Sequence, residues 1–148
     1  MRDYAVAMPL DPENRVLLQN KTNDYYFWPD MWCTFGGGVK ENEDPLVALK
    51  REMGEENGLN LTEVQLFDSR EYSDSGTAPD GKLIVRVGIT HYFGAKFDGD
   101  ISKVVLKEGG GFKKFGRDEL VRYNGFGLVV PSNFKALSDF YSSLRRDE

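Results

Sequence analysis

Apolar and polar positions alternate from Leu83 to Phe93. Leu83, Val85, Val87 and Ile89 fall on one side, and Ile84, Arg86, Gly88 and Thr90 on the other. A period of two predicts a strand. Tyr4 to Leu10 and Arg15 to Asn20 read as two further strands around the turn Asp11-Pro12-Glu13-Asn14, a hairpin. Trp32 to Val39 reads as a short strand running into glycines, after an aromatic loop from Thr22 to Asp30. A longer strand is expected from about Val64 to Tyr72, before the turn dipeptide Asp80-Gly81. Val104 to Leu106 and Phe112 to Phe115 read as short strands around Glu108-Gly109-Gly110-Gly111.

Two stretches carry a helical period instead. Leu46, Leu49 and Met53 stand at i, i+3 and i+7, behind Asp44 and Pro45 and ahead of the stop signal Asn57-Gly58. Phe134, Leu137, Tyr141 and Leu144 form the apolar side of a last helix opened by Pro131-Ser132-Asn133. Asp118-Glu119-Leu120 predicts a short helical turn. Strands, a helix, more strands and a terminal helix give an α+β class, with a mixed sheet between helices. No repeat or linker interrupts the chain, and its 148 residues predict one domain over 1–148.

The first helix carries unusual charge. At about 100° per residue, Glu52, Glu55 and Glu56 share one face beside the apolar stripe. Like charges at i, i+3 and i, i+4 repel by roughly 0.2–0.5 kcal/mol per pair. They also stand near the helix C-terminus, where the macrodipole disfavours anions. Three such acids need a counter-charge, and a hard divalent cation with oxygen ligands supplies one. Arg51 is placed to pair with Glu55 at i, i+4. Gly36-Gly37-Gly38, ahead of the helix, lets the backbone approach a ligand or another strand closely. The alternative for such acids is a solvated face, and for the glycines a tight bend.

The spacing is more specific than the charge. Gly37, five residues, Glu43, seven residues, Arg51-Glu52-Met53, one residue, Glu55-Glu56, one residue and Gly58-Leu59 occupy the whole motif of the Nudix hydrolases, which the chain therefore resembles. That resemblance implies an α/β/α sandwich whose strand–loop–helix holds the catalytic acids. It implies hydrolysis of a nucleoside diphosphate linked to another group, with magnesium, or manganese in its place. A MutT-like triphosphatase is the leading expectation. Nucleotide sugars, ADP-ribose and dinucleoside polyphosphates are the alternatives, and a non-catalytic nucleotide-binding module is a third.

Carried over by position, Glu52, Glu55 and Glu56 match the metal-binding glutamates, and Gly36 matches the residue whose carbonyl often joins them. Arg51 would orient the cluster, and Glu43 would brace the loop onto the helix. Phe35 stands where relatives often have proline. The general base is a box glutamate or Glu108, whose Lys-Glu-Gly loop resembles that of MutT-type members; a plain loop acid is the alternative for Glu108. Tyr26 and Trp28 are candidates to stack on a base, with core packing as their bland reading. Asn133 resembles a base-reading asparagine, although a helix N-cap is a simpler role for it or Ser132. Lys21, Arg70, Arg86, Lys113 and Lys114 are candidate phosphate contacts.

Charge and composition narrow the partners. A net charge of −5 without a basic stretch argues against general nucleic-acid binding. Cys33 is the only cysteine, which excludes an intramolecular disulfide, and its apolar neighbours predict a buried thiol. His91, the only histidine, sits in a β-type run and reads as a packed or edge residue rather than a base. No apolar run approaches a membrane span, and the first residues lack a signal-peptide core, so the cytoplasm is expected. The partner is a small nucleotide, and a homodimer is left open.

Overall fold

Strands β1 (Tyr4–Leu10) and β2 (Val16–Asn20) pair only at Leu10 and Val16 and then part. The segment that fills the wedge between them comes from the glycine region. Its first piece, β3 (Trp32–Cys33), pairs with β2, and its second, β4 (Phe35–Gly38), pairs with β1. The expected strand from Trp32 to Val39 is therefore two strands, because its halves serve different partners. In this computed structural model of the protein, residues 2–21, 27–56, 58–105 and 110–146 are described, without the side chains of residues 55, 56, 145 and 146.

On the other edge of β1 lies β6 (Leu83–Lys96), in parallel, and beyond it β5 (Thr62–Thr77), antiparallel to β6. On the far edge of β2 runs β7 (Gly111–Phe115). The sheet is mixed, as expected. β5 is longer than the pattern suggested. Ser73, Asp74 and Ser75 are poor strand formers, but each finds a partner on β6, and pairing overrides propensity. Val104 and Val105 form no strand: the Val104 N–H is used in a turn to the Ile101 carbonyl, and Leu106 lies outside the described residues.

Side-chain alternation on β1 sorts the two layers. Ala5 and Ala7 join Phe35, Leu49, Met53 and Phe93 on one face. Val6, Met8 and Leu10 join Tyr92, Leu137 and Tyr141 on the other. The first face is covered by α1 (Pro45–Lys50) and the turns after it; the second by α2 (Arg117–Gly125) and α3 (Pro131–Arg146). This is the expected α/β/α sandwich. α2 is a helix of two turns and more where a single turn was expected. Among the described residues, no helix is long and apolar enough to cross a membrane.

The first helix changes character where the acids stand. α1 begins at Pro45, with Asp44 as its cap accepting the Leu46 N–H at 2.8 Å. From Arg51 to Glu56 the chain winds in wider π-helical turns rather than the single α-helix expected. Gly54 weakens the α preference there. Leu49 and Met53 are nevertheless fully buried. At about 1.5–3 kcal/mol for each buried apolar side chain, they outweigh the repulsion between the acids. Gly58 closes the segment at φ +67°, the left-handed position expected for it.

Candidate active site

Arg51 is the hub of the loop-to-helix junction. Its Nε donates to Glu43 Oε2 at 3.1 Å and its Nη2 to Glu43 Oε1 at 2.9 Å, a two-pronged pair. Nη1 donates to Glu52 Oε1 at 2.9 Å, and Nη2 also reaches the Gly38 carbonyl at 3.2 Å. Glu43 Oε1 further accepts the Lys40 N–H at 3.0 Å. Hydrogen bonds from Arg51, then from the Lys40 backbone, hold the Glu43 carboxyl down at about 2. The hydrogen bonds to Glu43 and then to Glu52 raise the Arg51 guanidinium above its ordinary value. Arg51 thus ties the loop, the glycine strand and the first acid together. The described carboxylate partners of Arg51 are Glu43 and Glu52; the expected contact to Glu55 falls on a side chain outside the described residues.

Glycine brings that acid against the sheet. A Cβ on Gly37 would stand 2.6 and 2.7 Å from the two carboxylate oxygens of Glu52. The space a side chain would take at position 37 is occupied by this carboxylate. Gly36 is packed more tightly still, where a Cβ would lie 2.6 Å from Val6 Cα. Glu52, Arg51 and Gly36 are therefore gathered around one short strand. Among the described residues, no three acid, histidine or cysteine side chains gather closely enough to hold an ion. The Glu55 and Glu56 side chains and Glu108 lie outside them. A divalent metal suits the donors that the motif places here, since all are hard oxygens and Glu52 is already held in a cradle open only to glycine.

The opposite face of the sheet carries a cleft of about 470 Å³ between β5, β6 and α3. Tyr72, Thr90 and Tyr92 line it from the sheet, and Ser132, Lys135 and Asp139 from the helix. It is of a size to take a small ligand. Two cross-sheet rows join it to the glycine strand: Tyr92–Val6–Gly36 and Thr90–Tyr4–Gly38. These lining residues were missed in the sequence. Ser132, Lys135 and Asp139 do stand at i, i+3 and i+7, so a polar stripe beside the apolar one was a usable signal.

Asn133 points beneath the cleft. Its Oδ1 accepts the Thr34 N–H at 3.1 Å and the Thr34 hydroxyl at 3.3 Å, and its Nδ2 donates to the Tyr92 hydroxyl at 3.1 Å. It is a clasp between α3, β3–β4 and β6 rather than a helix cap. Backbone bonds between Trp32 and residues 128 and 130 reinforce the same joint. Burial raises the Tyr92 phenol above its ordinary value, against the hydrogen bond from Asn133. Trp28 donates its indole N–H to Asp74 at 3.1 Å, one step beyond Tyr72 on the same face of β5. Tyr26 lies outside the described residues.

Most of the cations proposed for phosphate pair with acids, and one of them, Arg70, also lines the cleft. Arg70 pairs with Asp68 and Asp139, Arg86 with Asp74, Lys113 with Glu119 and Lys114 with Asp11. Burial lowers the Lys21 ammonium. Burial pushes the Cys33 thiol up to about 11, consistent with an inert thiol. His91 Nδ1 lies 2.8 Å from the Ser69 hydroxyl across the β5–β6 pair, a packed role as expected.

Comparison with known proteins agrees with this geometry. The family model for the NUDIX domain matches residues 1–126. The nucleoside triphosphatase NudI of Klebsiella pneumoniae is 35% identical over 85 residues, 55% of this chain and 60% of that protein. The chloroplastic Nudix hydrolase 26 of Arabidopsis thaliana is 31% identical over 103 residues, 70% of this chain and 43% of that one. The matches thus span less than two thirds of either relative. Among solved structures, the dihydroneopterin triphosphate pyrophosphohydrolase of E. coli superposes with a TM-score of 0.67 at 19% identity, covering 93% of each chain. A NUDIX hydrolase from Nitrosomonas europaea gives 0.71 at 14% identity, covering 96% of this chain and 89% of that one.

Proposed function

The chain belongs to the Nudix family, and from that premise we propose that it is a magnesium-dependent pyrophosphohydrolase of nucleoside triphosphates. The observation that carries this reading is the Glu52 carboxylate, cradled at Gly37 and held by Arg51, which Glu43 holds in turn. Its partners in metal binding are Glu55 and Glu56, by their place in the motif, with the Gly36 carbonyl. Magnesium bound there would neutralise phosphate oxygens and lower the pKa of a water. Arg51 keeps the Glu52 carboxylate from turning away, so positioning is built in before substrate arrives.

The cleft supports a nucleoside as the other half of the substrate. Tyr72 offers an aromatic ring, and Ser132, Thr90 and Tyr92 offer hydroxyls. The likeness to a nucleoside triphosphatase favours triphosphates over sugar nucleotides or ADP-ribose. The base that activates water is a box glutamate or Glu108.

A screen of nucleoside triphosphates, sugar nucleotides and ADP-ribose with magnesium tests the reading. Triphosphates should release product fastest, and Glu56→Gln should lower turnover by orders of magnitude with the melting temperature kept. Fast cleavage of ADP-ribose with triphosphates untouched would replace the substrate class. No cleavage of anything would leave a binding module.

A further inference from the structure

After Phe35, three consecutive glycines leave β4 without side chains, and the two faces of this glycine run carry opposite charges. On one face lies the Glu52 carboxylate, at Gly37. On the other lies the guanidinium of Arg2, at Gly38, where a Cβ would stand 2.5 Å from Nε and 2.8 Å from Cζ. The space over Gly38 is thus filled by a cation reaching in from the chain's second residue.

Arg2 is placed there by its own backbone. Its N–H donates to the Val87 carbonyl at 3.0 Å, and its carbonyl accepts the Tyr72 hydroxyl. Its guanidinium lies 5.4 Å from the Tyr4 ring centroid. No carboxylate pairs with it among the described residues, in contrast to Arg51, Arg70 and Arg86. The residue is exposed. Its face is the cleft's face, since Gly38, Tyr4 and Thr90 form one cross-sheet row and Thr90 lines the cleft. The guanidinium thus stands on one of the two cross-sheet rows that join the cleft to the glycine strand.

We propose that Arg2 binds the phosphate chain of the substrate, on the face of the glycine strand opposite the glutamates. The proposal rests on the phosphate-anhydride reading above and adds a residue to it. A planar fork of charged donors suits phosphate oxygens. Metal and guanidinium would then hold the anhydride from two sides, where charge is spread over several oxygens.

Inorganic tripolyphosphate, which has no base, separates a phosphate contact from a base contact. Its binding with magnesium is measured by calorimetry, beside the KM of the best nucleotide. Arg2→Ala should weaken both by about ten- to a hundredfold, the range of a hydrogen bond to a charged group. Arg2→Lys should recover part of the loss. Gly38→Ala should reproduce Arg2→Ala by evicting the guanidinium, and the double variant should be no worse than either single one. Unchanged tripolyphosphate binding in Arg2→Ala, with only a lowered melting temperature, would reduce Arg2 to packing on Tyr4 and overturn the proposal. So would losses that multiply in the double variant. Arg2-dependent binding of tripolyphosphate by a protein that cleaves no nucleotide would refute the hydrolase reading and leave the phosphate contact standing.

Discussion

The Glu52 carboxylate occupies the place a side chain would take at Gly37, with both its oxygens within 2.7 Å of that position. An acid is thereby pressed onto a strand from the far end of a flexible side chain. The contact sets Gly37 apart from Gly36, where a Cβ would meet backbone instead of a flexible side chain.

Gly37→Ala should move the carboxylate and spare the fold, because Glu52 can swing while the backbone stays. Displacement by about 1 Å is enough to cost roughly a hundredfold in rate. Gly36→Ala meets Val6 Cα and backbone at φ +154°, and neither can yield. It should destabilise the protein by about 2 to 4 kcal/mol. Urea unfolding and turnover measured on both variants check the contrast. A Gly37→Ala enzyme with full activity would show that Glu52 need not lie there.

Glu43 should give the protein a signature in acid. Its folded carboxyl is lowered to about 2 by Arg51 and the Lys40 N–H, whereas a free glutamate sits at about 4.3. The folded state therefore binds this proton more weakly than the unfolded one. The stabilisation is complete above the ordinary carboxylate range and fades as pH falls toward about 2. Glu43→Gln should be less stable than the parent at pH 7, and the gap should close on going from pH 5 to pH 2.5. Denaturant midpoints at four pH values measure it; a gap independent of pH would mean that the ion pair is not its source.

Local pattern made part of this architecture legible. Leu46, Leu49 and Met53 announced the buried side of the box segment, and the acids' spacing announced the motif. Their π-helical winding was hidden, since a stripe of three apolar residues tolerates either turn. Glu43 was readable as a brace because its partner lies eight residues away on the same loop-helix unit. Arg2 was not readable: its position over Gly38 depends on β1, β4 and β6 meeting in register, which nothing near residue 2 encodes. The cleft was hidden for the same reason. Tyr92 and Ser132 come together only after α3 docks on the sheet, and Asn133 looked like a cap because the start of a helix is where caps are found.

Asn133 offers the sharpest separation of structure from recognition. Its oxygen takes two donors from Thr34, and its amide N–H goes to Tyr92. Asn133→Ala leaves the buried Thr34 N–H without that acceptor and should cost about 1–3 kcal/mol. Asn133→Asp keeps an acceptor for Thr34 and cannot donate to Tyr92, so the Tyr92 hydroxyl must turn its proton toward the new carboxylate. Its stability loss should be smaller than that of the alanine variant at neutral pH. A hydroxyl that changes from donor to acceptor at the cleft should also alter the ranking of the nucleotides cleaved, as should Tyr92→Phe. If Tyr92→Phe leaves that ranking untouched while both Asn133 variants shift it, the asparagine reads the base directly and the clasp is secondary.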